Sequence, residues 1–244
     1  MAGLAKGLAI LELFGPATPS LTLAEAARRT GLTRAAARRC LLTLAEAGFV
    51  SQRGRDFTPQ PRLLRLGYAF LSATPLPRLA QPVLEETQAA LDEAVSLAVL
   101  DGAEVVFVAR AAPRRMVSVG PGIGSRLPAW CSATGRVLLA DLPEAAAVAR
   151  LAGVVFRPLT PRTVTERAAV LQQIRDAGAA GFALCDQELE LGLLSLAVPV
   201  RDLAGATVAA MSVSSQPGRR GAAEMQRELL PPLREAAARL SARR

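Results

Sequence analysis

The stretch from Leu21 to Asp56 constrains this chain more than any other, because its punctuation fits one supersecondary unit. Leu21-Thr-Leu-Ala-Glu-Ala-Ala-Arg-Arg-Thr30 begins with Thr22, and Glu25 follows three residues later. That spacing is a capping box, in which each side chain satisfies a backbone N–H of the other residue. Gly31 tolerates the left-handed conformation that ends a helix. Thr33 can then cap a second helix, in which Ala35, Ala36 and Ala37 are strong helix formers. Two short helices joined by a three- to four-residue turn containing glycine are predicted to form a helix-turn-helix. Beyond Gly48 the residues from Phe49 to Thr58 read as a small β-hairpin, with Gly54 at its tip between Arg53 and Arg55. The hairpin would be the wing of a winged helix-turn-helix.

The charge pattern directs this unit toward DNA. Arg34 and Arg38 stand at i, i+4 on one face of the second helix with Arg39 beside them, while Leu41, Leu42 and Leu44 are expected on the opposite side against Leu23, Ala26 and Ala27. Residues 1–75 hold ten basic and four acidic side chains, a net of +6 out of +8 for the whole chain. Positive charge gathered on the motif is the electrostatic footprint of a duplex binder. The candidate DNA contacts are Thr33, Arg34, Ala35, Arg38 and Arg39 on the second helix, and Arg53 and Arg55 on the wing. The alternative is a basic, solvated helix in a protein-binding module; turn spacing, wing and charge together favour DNA.

Composition narrows the remaining chemistry. The 244 residues contain no histidine, and Lys6 is the one lysine. Ser-His-Asp and Cys-His catalysis, HExxH zinc sites and every His-ligated metal are thereby excluded. No enzyme, metal or cofactor is expected. The three cysteines, Cys40, Cys131 and Cys185, are scattered, so neither a disulfide framework nor a paired metal motif is present. No apolar run approaches the roughly 20 residues that span a bilayer. Residues Lys6 to Phe14 resemble a signal peptide superficially, but Glu12 interrupts the run. They fit better as the first amphipathic helix of the winged domain, and a bacterial-type cytoplasm is the expected compartment.

The rest of the chain predicts a linker and a second domain. A helix is expected over 61–73, with Pro61 near its start. Thr74-Pro-Leu-Pro77 breaks the chain, and another helix follows from Arg78 to about Glu93. Ser96–Leu100 and Glu104–Arg110 read as strands joined by an Asp101-Gly102 turn, and Met116–Val119 as a third. A helix begins at Ser132, and residues 166–177 form another that ends near Gly178. Strands are expected at Phe182–Leu184, Ser195–Val200 and Thr207–Val213. A final helix runs from about Ala222 to Ala242, kinked or split at Pro231 and Pro232. Strands and helices without regular βαβ alternation predict an α+β domain around an antiparallel sheet. The expected boundaries are 1–60 for the DNA-binding domain, 61–75 for the linker helix and 76–244 for the second domain.

Over nearly its full length the chain resembles the IclR family of bacterial transcription factors. The resemblance rests on Leu23-Ala-Glu-Ala-Ala-Arg-Arg-Thr-Gly-Leu-Thr33, on Gly124–Ala140 with its Trp-Cys-Ser-Ala-Thr-Gly-Arg core, on Leu159-Thr-Pro-Arg-Thr163, on Asp186-Gln-Glu-Leu-Glu-Leu-Gly192 and on Ser195–Asp202. The Arg34-Ala-Ala-Ala-Arg-Arg segment and the Leu-Gly-Tyr-Ala-Phe-Leu-Ser linker are most similar to the subgroup controlling protocatechuate, p-hydroxybenzoate and β-ketoadipate catabolism. The resemblance implies a GAF-like effector domain binding a small organic acid, aromatic in this subgroup, and assembly as a dimer or tetramer. It implies a pocket lined by Ala133, Thr134, Cys185, Asp186, Ser195, Ser212 and Ser214. Backbone N–H groups at a helix start would favour an anion there, and hydroxyls would add donors. This chain departs from some relatives, which carry Cys at the position of Ser195 and an acid at that of Cys185.

Several signals remain open. Arg126 could supply a cation to a carboxylate ligand or be a structural ion-pair partner. Trp130 could wall an aromatic acid or pack in the core. Glu188 and Glu190 suit a loop rim better than a carboxylate cluster for metal or acid–base work. Gly120-x-Gly-x-Gly124 suits a turn better than a nucleotide loop, and Cys40 suits packing. A second functional reading stands beside the ligand-responsive transcription factor: a DNA-binding protein whose second domain only oligomerises.

Overall fold

The computed structural model describes residues 2–15, 17–113 and 121–242. The strand expected at Met116–Val119 lies outside them. The chain forms two compact units, residues 1–73 and 74–244, and among the described residues no helix is long and apolar enough to cross a membrane.

The first unit contains α1 (Ala2–Leu11), β1 (Leu21–Thr22), α2 (Leu23–Thr30), α3 (Arg34–Glu46), the hairpin β2 (Val50–Arg53) and β3 (Asp56–Pro59), and α4 (Leu64–Ala73). A 3-10 turn over Pro61–Leu63 precedes α4. The capping box forms as its spacing predicts: Thr22 Oγ1 accepts from Glu25 N at 3.2 Å, and Glu25 accepts from Thr22 N at 2.8 Å. Gly31 stops α2 at φ 68°, a conformation that costs an L-residue with a side chain free energy. Thr33 caps α3 by accepting from Ala36 N. The three strands pair antiparallel in the order β1-β3-β2. Ile10, Ala26, Ala27, Ala37, Leu41, Val50 and Phe57 make the core, with Leu23 and Leu44 packed on it. Leu42 departs from expectation and stays exposed; at i+1 from Leu41 it is turned about 100° round the helix, beyond the buried stripe.

The second unit is α+β. It contains α5 (Pro75–Leu91), β4 (Ala94–Asp101), β5 (Glu104–Ala111), β6 (Arg126–Pro128), α6 (Ala133–Ala140), α7 (Glu144–Arg150), α8 (Arg167–Ala180), β7 (Ala183–Asp186), β8 (Leu194–Arg201), β9 (Thr207–Ser215) and α9 (Ala222–Ser241). One antiparallel sheet runs β6-β5-β4-β9-β8-β7. Strand alternation divides its residues between two layers. Val95, Leu97, Met211, Val213, Leu196 and Val198 point one way, where α5 and α9 pack. Ala98, Phe107, Ala210, Ala197 and Cys185 point the other way and share a core with α6, α7 and α8.

Proline and glycine account for most differences from the sequence reading. The break before α5 is confined to Thr74, because Pro75 and Pro77 occupy the first turn, where the missing N–H has no partner to lose. Helix α8 runs through Gly178 to Ala180 and stops only at Gly181, φ 67°. Helix α9 is one element, with Pro231 and Pro232 inside it. Helix α7 and the short β6 were not anticipated.

Candidate functional site

Helix α3 presents a cationic face. Ala36, Ala37 and Leu41 point into the core, so the helical period turns Arg34, Ala35, Arg38 and Arg39 outward, and all four are exposed. Arg53 and Arg55 are exposed at the hairpin tip, where the backbone of Arg53 stands opposite that of Asp56 in the β2–β3 register. None of these arginines makes a side-chain hydrogen bond or ion pair with a described residue. Neighbouring arginines differ: Arg29 donates to Thr18 Oγ1 at 2.9 Å, and Arg62 lies over the Phe49 ring at 5.4 Å. Unpaired guanidinium groups on an exposed helix and wing are free to meet phosphates and guanine edges. Thr33 is exposed too, but its hydroxyl is engaged in the cap.

The second unit gathers hydroxyl groups on the sheet face beneath α6. Register places Ser195 opposite both Cys185 and Ser214, and Ser212 opposite both Ser96 and Ala197. Ser212 and Ser214, two apart, share that face with Ser96 and Ser195. Ser96 was not anticipated; its signal was alternation along Ala94-Val-Ser-Leu-Ala98. Ser96, Ser212 and Thr134 are 5%, 3% and 3% exposed, yet their hydroxyls make no hydrogen bond with any described residue. Ser96 and Ser212 on the sheet and Thr134 on α6 above it thus offer hydroxyls that no described residue engages. Above it, Ser132 caps α6 by accepting from Gly135 N at 3.1 Å, leaving the N–H groups of Ala133 and Thr134 among the donors that a helix start leaves unpaired within the helix. Ala129 backbone closes against Gly135, where an added Cβ would stand 2.2 Å from Ala129 Cα.

Two expected lining residues do not join this group. Arg126 sits on edge strand β6, in register with Val106, one position off the row that faces α6. It donates to Glu104 at 2.7 Å and Asp101 at 2.8 Å, the ion-pair alternative. Asp186 pairs with Leu194 and so faces away from Cys185; its carboxylate accepts from Arg162 at 2.7 Å. Trp130 is buried against Phe156, ring centroids 4.9 Å apart, in the core.

Glu188 overturns its assignment to a loop rim. It is buried and takes both Nη atoms of buried Arg136, at 2.6 and 2.7 Å. The same arginine donates to Trp130 O and Cys185 Sγ, both at 3.1 Å. The sequence signal was an arginine inside the otherwise apolar Ala133–Ala140 helix. Burial pushes the thiols of Cys131 and Cys185 up to about 12, so both are neutral. Cys40 is half-buried against the core of the first unit. Among the described residues no group of His, Cys, Asp and Glu could hold a metal ion.

Comparison with known proteins matches residues 3–54 to the IclR helix-turn-helix domain and residues 68–242 to the bacterial transcriptional regulator IclR C-terminal family. The chain is 39% identical to the Pca regulon regulatory protein of Pseudomonas putida, over 95% of this chain and 80% of that one. It is 37% identical to the p-hydroxybenzoate hydroxylase transcriptional activator of Acinetobacter baylyi, over 97% and 89%. An IclR homologue from Microbacterium hydrocarbonoxydans, solved in complex with 4-hydroxybenzoate, superposes with a TM-score of 0.76 at 26% identity, covering 98% of each chain.

Proposed function

The chain belongs to the IclR family of transcriptional regulators and carries that family's helix-turn-helix DNA-binding domain, and from this we propose that it controls aromatic-acid catabolism by binding promoter DNA in response to a hydroxybenzoate-class acid. The observation that carries the effector half is the layer between the sheet and α6, where Ser96 and Ser212 of the sheet and Thr134 of the helix make no hydrogen bond with a described residue. Hydroxyls of this kind suit a carboxylate or phenol acceptor. The relatives named for the Pca regulon and for p-hydroxybenzoate, and the homologue solved with 4-hydroxybenzoate, support the aromatic class.

In this reading α3 enters the major groove with Thr33, Arg34, Ala35, Arg38 and Arg39, and the wing arginines Arg53 and Arg55 meet the backbone or minor groove. The effector contacts are Ala133, Thr134, Cys185, Ser195, Ser212 and Ser214, with Ser96 added. The functional domains are 1–60 and 76–244, with 61–75 as linker helix. A second copy covers the apolar side chains of α4, where Leu64, Leu66 and Tyr68 are 74%, 53% and 72% exposed; patches of this kind mark association surfaces. The protein works as a dimer or tetramer in the bacterial cytoplasm. The ligand acts by preferring one of two arrangements, since a ligand that binds both equally shifts nothing.

Calorimetry on the full chain with 4-hydroxybenzoate, protocatechuate and β-ketoadipate tests the effector. Saturable binding that Ser212→Ala or Ser195→Val weakens is expected. Absence of binding by every acid leaves the second unit as an assembly domain.

A further inference from the structure

Arg28 and Arg29 are neighbours in the last turn of α2 and read alike in the sequence, yet the structure gives them different surroundings. Arg29 is held: its Nη1 donates to Thr18 Oγ1 at 2.9 Å, which draws the side chain toward the turn before β1. Arg28 is exposed and makes neither a hydrogen bond nor an ion pair with a described residue. The acid closest to it along the helix is Glu25, one turn earlier. Its Oε2 is already engaged by the backbone N–H and the hydroxyl of Thr22, both at 2.8 Å, in the capping box.

Helix α2 and the start of α3 border a cleft. Arg28 lines it from one helix and Arg34 from the other, whereas Arg29 does not line it. Small residues, Ala24, Ala27 and Gly31, make up much of the remaining surface. At Gly31, in the turn, an added Cβ would meet nothing within 4 Å, so a bulky chain can come close. Two like charges bordering one concave surface focus a positive potential on it, and an anion seated there relieves their repulsion.

When a helix-turn-helix docks on a duplex, the second helix lies in the major groove and the first crosses the sugar–phosphate backbone. That geometry brings the backbone past α2 and over this cleft. Guanidinium groups hold phosphates by two parallel N–H···O bonds. Contacts of this kind fix the register and orientation of a protein on DNA without reading its sequence.

Resting on the DNA reading of α3 given above, we propose that Arg28 holds a backbone phosphate beside the α2–α3 turn and so sets the register at which α3 lies in the groove. Arg29 secures the turn at Thr18 and takes no part in this contact. Arg34, across the cleft, reaches its base edge from the position that Arg28 anchors.

Fluorescence anisotropy of the full chain on a duplex of its own promoter region, across a salt series, tests this. Arg28→Gln should lower the slope of log K against log salt by about 0.9 for each bound copy, and Arg28→Lys, which keeps the charge, should restore most of it. Arg29→Gln should leave the slope at the parent's value. A scan of single uncharged methylphosphonate linkages along the same duplex gives a second readout. At least one linkage should weaken the parent about tenfold and Arg28→Gln less than about twofold, as loss of one charged hydrogen-bonded contact implies. If Arg28 serves only the helix dipole, Arg28→Gln lowers thermal stability and moves neither readout; that result overturns the phosphate contact and leaves the reading of α3 standing. An equal loss of slope in Arg28→Gln and Arg29→Gln overturns it too. Failure of the parent to bind duplex DNA overturns this contact and the DNA reading together.

Discussion

Arg136 and Glu188 meet fork to fork, Nη1 to Oε1 at 2.6 Å and Nη2 to Oε2 at 2.7 Å, with side chains only 3% and 7% exposed. They tie the start of α6 to the loop after β7. That loop is further held by Thr163, which donates to Glu188 O, and by Val164 N, which donates to the Glu188 carboxylate. Removing one partner strands a charge in the interior. Glu188→Gln is expected to destabilise the second unit by about 3–5 kcal/mol, whereas the double change Arg136→Met with Glu188→Leu should cost much less. Urea denaturation of the three proteins gives the comparison; equal losses for single and double variants would contradict it.

Gly135 is expected to tolerate no side chain. Its Cβ would meet the Cα and O of Ala129 at 2.2 Å, backbone atoms that cannot swing aside. Gly135→Ala should cost about 1–3 kcal/mol or more, through overpacking, and should weaken effector binding by displacing the start of α6. Gly153→Ala, in open space, is the control, and thermal unfolding of both variants measures the difference.

The thiols should separate by reactivity. Cys131 and Cys185 are buried and neutral, with pKa pushed up to about 12, while Cys40 is half-buried. At pH 8 a colorimetric disulfide reagent should modify one thiol in the native protein and three after denaturation. The linkage has a definite sign. Unfolded thiols ionise near 9.0 and the folded ones near 12, so stability should hold below pH 9 and fall as pH rises from there toward 12. A flat alkaline stability profile for the wild type would contradict the burial of these thiols.

DNA affinity should respond in two ways. Arg34→Ala or Arg38→Ala is expected to cost about 1–3 kcal/mol on the cognate promoter if the side chain reads a guanine. Arg53→Ala and Arg55→Ala should weaken specific and nonspecific DNA alike, each reducing the salt slope by about 0.9. Fluorescence anisotropy across a salt series separates the two, and an unchanged slope for both wing variants would place the wing away from DNA.

The DNA-binding unit was legible because its signals are local. Thr22 with Glu25, then Gly31 and Thr33, each act within four residues, and chain order alone exposes them. Strand pairing in the second unit was partly legible: alternation and the Asp101-Gly102 turn gave β4 and β5. What sequence could not supply was contact over distance. Arg136 and Glu188 are 52 residues apart, and nothing near Glu188 distinguishes a solvated carboxylate from a buried one. Ser96 was hidden inside an apolar run, where a small hydroxyl barely disturbs the pattern.

That register also separates what selection can change. Along β9 the even-numbered side chains 210, 212 and 214 lie on the serine-bearing face, while 211 and 213 are fully buried on the other; along β8 the parity reverses, with 195 and 197 opposed to 196 and 198. On the proposed effector reading, each strand carries recognition and cohesion on alternate residues. Under that reading, exchanging a serine for a threonine or a valine on one side would alter which guest fits without loosening the layer that holds α5 and α9. A descendant of this chain could acquire a taste for a new acid by point substitutions at every second residue, its scaffold intact throughout.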